Sequence, residues 1–228
     1  MSAIIGERKP KLAVCLPALD MVHTFFAYDY AGMLAFTAKA GYEIGRLVAR
    51  GTYLYEQRET LADAFLSGDY THALWVDADM RFPKDAFLRL LAWNLPIVGA
   101  GYPSRHAPYL PVVARDFRTD ERVWTTRQHE GVEPVAGLGF GCLMTSREAI
   151  EAVKKPRFGI GWNDDLGQFL HEDMGFCYKA SRAGVPIHID HDLTKLVKHI
   201  GSHEFNYETS LVARESMERK DSPLIVTP

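Results

Sequence analysis

The sequence has few cysteines and no long apolar run. Its three cysteines, Cys15, Cys142 and Cys177, are odd in number and far apart, and none has the spacing of a zinc site. This pattern excludes a disulfide framework and predicts reduced core thiols in a cytoplasmic protein. No apolar stretch approaches the length of a membrane span, and the polar start MSAIIGERKPK does not resemble a signal peptide.

The sequence also lacks an excess of charge of one sign. It has 26 lysines and arginines against 29 aspartates and glutamates, a formal net charge of −3 at pH 7. The overall charge therefore does not favour a nucleic-acid partner, although a local basic groove is still allowed. With 228 residues, 47% of them hydrophobic and 24% charged, the chain has the size and composition of one globular domain.

The most informative stretch is THALWVDADMRFP, residues 71–83. Residues 73–76 form an apolar run without a turn residue, which predicts a strand buried on both faces of a parallel sheet. Asp77 and Asp79 follow it, and strand alternation would point both the same way. In open α/β sheets, ligands bind at the carboxyl ends of the strands. Paired carboxylates at that place suit Mg²⁺ or Mn²⁺ that is held together with phosphate oxygens. Alternatively, both aspartates only cap the following helix.

The first hundred residues alternate between predicted strands and helices. This alternation favours a parallel, doubly wound sheet. The strands are expected at 11–18, 42–49, 73–76 and 96–101, and the helices at 23–40, 52–66 and 83–93. Arg58 falls within the second helix, where a lone arginine is ordinarily a solvated charge.

The second half has shorter predicted elements. Residues 111–115 and 122–126 are expected to form strands separated by polar turns. The stretch VAGLGFGCLMT, residues 135–145, lacks the GxGxxG spacing of a dinucleotide site, so its glycines indicate close backbone approach to a ligand or to the first half. After residue 205 the chain is more charged, which predicts an amphipathic helix or a loosely ordered tail.

Two acidic residues, Glu172 and Asp173, are predicted to open a helix that runs to Ala183. Carboxylates suit the positive end of a helix dipole, and this structural role is the simpler interpretation when these residues are considered alone. The run IHIDHD, residues 187–192, suggests a metal site, but a strand would point His188 and His191 to opposite faces. A structural role is favoured there as well.

Taken in order, these motifs resemble the GT-A glycosyltransferases, especially compact phage and bacterial enzymes. The motifs are the first strand ending in a proline loop, the arginine-bearing helix, the strand ending in DAD, the GFGC segment, the acidic HEDMGF and the late KHIG. The resemblance spans about residues 11–203. It implies a single α/β domain with a Rossmann-like, mixed but mainly parallel central sheet flanked by helices. We expect this domain at 1–204, followed by the tail at 205–228.

The resemblance also implies roles for individual residues. The metal ligands for Mn²⁺ or Mg²⁺ would be Asp77, Asp79 and His199, and the catalytic base of an inverting enzyme would be Asp173. The nucleotide-sugar donor would contact Pro17, Ala18, Asp20, Arg58, Asp77 and Ala78. The acceptor would contact Gly139, Phe140, Trp162 and Glu172.

The implied activity is metal-dependent transfer of a sugar from a nucleotide-sugar, with a UDP-sugar favoured, to an acceptor hydroxyl. The acceptor is a glycan or lipid-linked sugar, a protein, or a hydroxymethylated base in DNA. A DNA acceptor would require a basic surface, and five arginines do cluster in sequence: Arg105, Arg115, Arg118, Arg122 and Arg127. Two alternatives remain, a metal-dependent nucleotide phosphohydrolase or nucleotidyltransferase and a non-catalytic nucleotide-sugar-binding module. The sequence does not indicate the oligomeric state.

Overall fold

The computed structural model describes residues 9–119 and 121–220. The first eight residues of the 1–204 domain and the last eight of the 205–228 tail lie outside the described residues, as does most of the MSAIIGERKPK segment. Within the described residues the chain forms one mixed α/β domain. No helix among them is long and apolar enough to cross a membrane.

The elements follow the predicted alternation through the first half of the chain. The strands are β1 Leu12–Ala18, β2 Ile44–Arg50, β3 His72–Val76, β4 Met80–Arg81, β5 Ile97–Gly99, β6 Val113–Ala114, β7 Val132–Val135, β8 Gly137–Leu138, β9 Cys142–Ser146, β10 Gly161–Asn163, β11 Gln168–Leu170, β12 Ile187–Asp190, β13 Lys198–Ile200 and β14 Glu204–Phe205. The helices are α1 Thr24–Lys39, α2 Leu54–Ser67, α3 Ala86–Ala92, α4 Arg147–Ala152, α5 Glu172–Arg182, α6 His191–Thr194 and α7 Tyr207–Lys220.

Seven strands form the central sheet in the order β2-β1-β3-β9-β5-β12-β7. Strands β1, β2 and β3 pair in parallel, and so do β5 and β12. Strand β9 lies between β3 and β5 and is antiparallel to both, while β7 is antiparallel to β12. Five of the seven strands therefore point the same way. The mixed, mainly parallel sheet is confirmed, whereas a purely parallel sheet is wrong because β9 returns through its centre.

The strands of this sheet alternate between two hydrophobic layers. In β3, Ala73 and Trp75 face the layer covered by α2, α4 and α5, whereas Leu74 and Val76 face the layer covered by α1 and α3. All four are fully buried, as expected for a central strand covered on both faces. The carboxyl ends of β1 and β3 consequently open at one edge between the two layers.

Two predicted elements in the second half differ from the structure. The expected strand at 111–115 shrinks to Val113–Ala114, and residues 122–126 form no strand but only an isolated bridge between Arg122 and Ala114. The polar turn between them leaves too few paired residues for a longer ladder. Helix α7, in contrast, corresponds to the helical alternative for the tail, and its Ser210 hydroxyl donates a hydrogen bond to the Tyr109 carbonyl at 2.8 Å.

The histidine and aspartate run at 187–192 has structural contacts. Asp190 ends β12, and its carboxylate accepts hydrogen bonds from the Leu193 N–H at 2.9 Å and from the Trp93 indole at 2.8 Å. The His191 ring lies 2.8 Å from the Thr125 hydroxyl and stacks on His129. These contacts fasten α6 to the edge of the sheet.

Candidate active site

A cleft of about 590 Å³ opens at the carboxyl ends of β1 and β3. It is bordered by the loop after β1, the start of α2, the turn after β3 and the start of α5. Ten of the residues singled out in the sequence line it: Pro17, Ala18, Arg58, Asp77, Ala78, Asp79, Arg105, Glu172, Asp173 and His199. The fold thus brings together residues that are up to 182 positions apart (199 − 17) in the chain.

Arg58 lies at the floor of this cleft and is only 2% exposed. Its guanidinium donates to Glu172 Oε1 at 2.7 Å and to both oxygens of Asp77 at 2.9 and 3.2 Å. It also lies over the Phe140 ring, 5.2 Å from the centroid. Burial would lower the pKa of Arg58, but the charges of Asp77 and Glu172 outweigh it and raise the pKa. The interpretation of Arg58 as a solvated charge is wrong, because its buried guanidinium binds two carboxylates, one directly after β3 and one on α5.

The side chains of Asp77 and Asp79 contact different partners and do not form the expected carboxylate pair. Strand β3 ends at Val76, and the Met80 N–H donates to the Asp77 carbonyl in a turn at 3.2 Å. Both Asp77 oxygens are taken by Arg58, whereas the Asp79 carboxylate faces His199. The prediction that both side chains point the same way assumed that the strand continues to Asp79. The strand ends before Asp77, so the alternation of side chains does not apply to this pair. Asp77 is therefore better placed to hold Arg58 than to hold a metal.

His199 reaches Asp79 through strand pairing. Met80 of β4 pairs with His199 of β13, and the Ile200 N–H donates to the Asp79 carbonyl at 2.7 Å. The His199 Nδ1 lies 2.9 Å from the Pro103 carbonyl, so this nitrogen donates its proton to that carbonyl. Nε2 lies 3.5 Å from Asp79 Oδ2. A carbonyl that fixes the tautomer in this way is typical of metal-binding histidines.

The donor set fits a divalent cation that is only partly held by protein. No group of three or more histidine, cysteine, aspartate or glutamate side chains suited to a metal occurs in residues 9–119 and 121–220. Asp79 and His199 supply one oxygen and one nitrogen, and Mg²⁺ and Mn²⁺ at nucleotide sites are commonly completed by phosphate oxygens and water. The two residues would thus hold the cation only together with a diphosphate.

Arg105 is a neighbour of Asp79 that the sequence interpretation did not connect with the metal site. Its Nη1 lies 2.8 Å from Asp79 Oδ2, the same oxygen that faces His199. Burial raises the pKa of Asp79, but His199 and Arg105 outweigh burial and lower it. Asp79 is consequently ionised at neutral pH, with a guanidinium beside the oxygen that faces His199.

Asp173 occupies the second position of α5, next to Glu172, as the sequence predicts. Its Oδ1 accepts the Met174 N–H at 2.7 Å. Burial, followed by the adjacent charge of Glu172, raises the pKa of Asp173 to about 6, while Arg58 opposes the shift. The carboxyl can therefore gain or lose a proton near neutral pH, which is the property required of a general base.

The glycine-rich segment packs closely against Tyr102, a residue that the sequence alone did not single out. The Gly141 N–H donates to the Tyr102 hydroxyl at 2.9 Å. A Cβ at Gly139 would overlap that hydroxyl, and one at Gly141 would lie 2.8 Å from the ring. The predicted close approach is confirmed, and its partner is a buried tyrosine that lines the cleft. Gly139 and Phe140, which were expected to contact the acceptor, are both buried, and Phe140 packs against Trp75, Phe158 and Phe176. Their acceptor contacts stay predictions.

Two further residues lie away from the cleft lining. Asp20 forms an ion pair with Arg50, and both side chains are largely exposed. Trp162 is 57% exposed on the β10–β11 hairpin and packs edge to face against Phe169 at 5.4 Å. Their nucleobase and acceptor contacts stay predictions.

A second cavity, of about 380 Å³, adjoins the cleft. Val112, Glu172 and Asp173 line both spaces. The remaining lining includes Phe117, Arg122, Gln168 and Phe169. Asp173 thus stands between two compartments, one that contains Asp79 and His199 and one that contains aromatic rings and an arginine.

Most of the arginines that cluster in sequence have acidic partners. Arg105 pairs with Asp79, Arg115 with Glu121 and Glu133, and Arg127 with Glu208. These pairs reduce the unpaired basic surface that a DNA acceptor would require.

Comparisons with known proteins agree with the fold. No protein-family model matches the sequence, and no curated protein matches it. A solved structure described as A197 from STIV is similar over 84% of this chain and 86% of its own, with 20% identity and a TM-score of 0.57. A glycosyltransferase involved in the glycosylation of the major capsid of PBCV-1 aligns over 62% of this chain and 63% of its own, with 12% identity and a TM-score of 0.35. The first similarity supports the mixed α/β, Rossmann-like fold, and the second is too distant to carry an argument.

Proposed function

We propose that this protein is a metal-dependent glycosyltransferase that moves a sugar from a nucleotide-sugar to an acceptor hydroxyl with inversion. The observation that carries the proposal is the position of Asp173, a carboxyl with a raised pKa that lines both the cleft and the second cavity. The Asp79–His199 pair lies in the cleft but does not line the second cavity. A donor diphosphate and an acceptor hydroxyl could therefore approach Asp173 from different sides.

The donor would bind in the cleft. Its diphosphate would meet Asp79 and His199, which would hold Mn²⁺ or Mg²⁺ together with phosphate oxygens. The cation would stabilise the charge that develops on the leaving diphosphate. Pro17 and Ala18 border the end of β1, where the nucleoside part of a UDP-sugar, the favoured donor, would lie. Arg58 has its guanidinium occupied by Asp77 and Glu172, so its role is to hold the floor of the cleft.

The acceptor would enter from the second cavity. Its hydroxyl oxygen attacks the anomeric carbon, the bond from that carbon to the diphosphate oxygen breaks, and the electron pair leaves with the diphosphate. The hydroxyl proton passes to the Asp173 carboxylate. The paired state of Arg105, Arg115 and Arg127 favours a glycan or lipid-linked sugar over a hydroxymethylated DNA base as the acceptor.

A thermal-shift panel of UDP-, GDP-, CMP- and dTDP-sugars, with and without Mn²⁺, tests the donor half of this proposal. A ligand that binds only the folded protein stabilises it by about 2.7 kcal/mol at 100 times its Kd, which is roughly 5–10 °C for a chain of this size. We expect one donor to raise the Tm in a metal-dependent way, and Asp79→Ala to abolish the effect. Asp85→Ala, which removes a carboxylate from a helical ion pair with Arg89, is the matched control.

Two outcomes would contradict the proposal. If no donor changes the Tm with or without metal, the cleft does not bind nucleotide-sugars. If a donor binds and is cleaved at the same rate with and without any acceptor, the protein is a metal-dependent phosphohydrolase instead.

A further inference from the structure

We infer that the second cavity binds an acidic sugar acceptor, one that carries a carboxylate or a phosphate, and that Arg122 recognises the anionic group. This inference rests on the proposed function, since it assigns the acceptor of the same reaction. It adds a chemical class for the acceptor and a residue that selects it.

Arg122 is held in place by its backbone. The isolated bridge joins Arg122 to Ala114, and the flanking hydrogen bonds from the Arg115 N–H to the Glu121 carbonyl and from the Val123 N–H to the Val113 carbonyl measure 3.0 and 3.1 Å. Its side chain lines the same cavity as Asp173. Arg122 thus lines the cavity from a fixed point of the chain.

Among the described residues, Arg122 has no ion-pair partner. Its Nε is buried without a hydrogen-bond partner, and within residues 9–119 and 121–220 its guanidinium has no ion-pair partner. Two other arginines, Arg58 and Arg157, also have a buried, unpartnered Nε, but their terminal nitrogens bind carboxylates. Arg122 therefore differs from both, because it keeps its capacity for a ligand.

Each carboxylate that lines the cavity has a hydrogen-bond partner in the protein. Glu172 pairs with Arg58 at 2.7 Å, and Asp116 Oδ1 accepts the Arg118 N–H at 2.9 Å. Asp173 accepts the Met174 N–H, and burial first, then Glu172, raises its pKa to about 6. An anionic ligand beside Arg122 would meet a planar guanidinium, whose geometry matches carboxylate and phosphate groups.

The walls of the cavity suit a sugar ring. Phe117 lies on one wall, where it packs against Tyr178, and Phe169 lies at the mouth with 65% of its surface exposed. Phe169 contacts the exposed Trp162, so the predicted acceptor contact of Trp162 would be made from the rim of this cavity. Exposed aromatic faces offer apolar area to the C–H face of a pyranose, while the hydroxyl to be glycosylated would point inward to Asp173.

The test is ligand-observed NMR and titration calorimetry with three probes: methyl β-D-glucuronide, glucose 6-phosphate and methyl β-D-glucoside. The first probe carries a carboxylate, the second carries a phosphate, and the third is uncharged. We expect at least one acidic probe to bind wild-type protein ten-fold or more tightly than the neutral probe, and the preferred acid distinguishes a uronate from a sugar phosphate. Arg122→Gln should remove this preference. The matched control is Arg118→Gln, an exposed neighbour that does not line the cavity.

Arg122→Lys keeps the positive charge but lacks the planar guanidinium, and we expect it to retain part of the preference for acidic probes. This variant also provides the test if Arg122→Gln does not fold. Equal binding of the neutral and acidic probes, or a preference that survives Arg122→Gln in folded protein, would overturn the inference. Binding of a UDP-sugar to the same variants is measured in parallel. If the donor binds and the acidic preference is absent, only the acceptor assignment fails; if neither binds, the proposed function fails.

Discussion

At the residue scale, the proposed chemistry depends on the difference between Asp173 and its neighbours. Glu172 and Asp77 are held by Arg58, whereas Asp173 has only a backbone donor and a raised pKa. We expect Asp173→Asn to lower sugar transfer by about 10²- to 10⁴-fold, the usual contribution of a general base, while donor binding is retained. Initial rates of transfer and the donor-induced Tm shift measure the two effects. Transfer at a near wild-type rate would show that the base is another group.

The same carboxyl makes stability depend on pH. The pKa of Asp173 is about 6 in the folded protein against about 3.9 when unfolded, so ionisation costs stability. The cost is absent below about pH 4 and complete above about pH 6. Asp173→Asn removes it, and we expect the variant to gain about 1 kcal/mol more stability over wild type at pH 8 than at pH 5. Urea unfolding at both pH values gives the comparison, and an equal gain at both would place the pKa near its ordinary value.

Arg105 is expected to influence the proposed binding of a divalent cation. Its guanidinium lies 2.8 Å from the Asp79 oxygen that faces His199, so a cation bound there would compete with it. We expect Arg105→Gln to tighten Mn²⁺ binding by about 2- to 5-fold, because a partly exposed ion pair contributes about 0.5–1 kcal/mol. Electron paramagnetic resonance of free Mn²⁺ in the presence of a nucleoside diphosphate measures the affinity, with Arg89→Gln as the control. Weaker binding in Arg105→Gln would mean that Arg105 supports the metal site through other contacts.

At the element scale, the GLGFG segment fixes the back wall of the cleft through Tyr102. A methyl group at Gly141 would lie 2.8–3.0 Å from three Tyr102 atoms, so the ring would have to move toward the cleft. We expect Gly141→Ala to destabilise the protein by about 1–3 kcal/mol, as overpacking does, and to weaken donor binding. Gly159→Ala, whose new methyl meets nothing within 4 Å, should change stability by less than about 0.5 kcal/mol. Similar values for the two variants would show that Tyr102 adapts without cost.

Local patterns in the sequence were sufficient for the elements of the first half. Apolar runs and flanking glycines predicted β1, β2, β3, α1 and α2 to within about two residues. They did not predict that β9 would return antiparallel between β3 and β5, since strand order depends on contacts between distant residues. Arg58 was misjudged for the same reason: its partner Glu172 lies 114 positions away, and no local signal identifies that pair.

The candidate site was predictable in composition but only partly in geometry. Asp79, His199 and Asp173 line one cleft, as the motif order implied. Phe140 belongs to the core. The sequence did not predict this, because a position between two glycines does not indicate which face of the sheet the side chain contacts. The roles of Tyr102, Arg105 and Arg122 could not be identified beforehand, since they come from what lies beside these residues in space; the two arginines were noted only as members of a cluster in sequence.

At the scale of the whole molecule, the three free cysteines lie in the hydrophobic layers on both sides of the central sheet. Cys15 on β1 and Cys177 on α5 belong to one hydrophobic layer, and Cys142 on β9 belongs to the other. All three are buried and unpaired, which confirms the expectation of reduced core thiols. Burial raises the pKa of Cys142 and Cys177 to about 12 and also raises that of Cys15, so none is a reactive thiolate in the folded state.

These thiols provide a test of whether the domain unfolds as one unit. Because β1, β9 and α5 pack on the same sheet, we expect the three cysteines to react with a thiol reagent at rates that share one dependence on urea concentration, that of global unfolding. Peptide mapping by mass spectrometry after timed labelling follows each cysteine without substitution. Earlier labelling of Cys177 than of Cys15 would mean that α5 opens separately. Since α5 carries Glu172 and Asp173, such opening would also release Arg58 and dismantle the base of the cleft before the first half of the fold is lost.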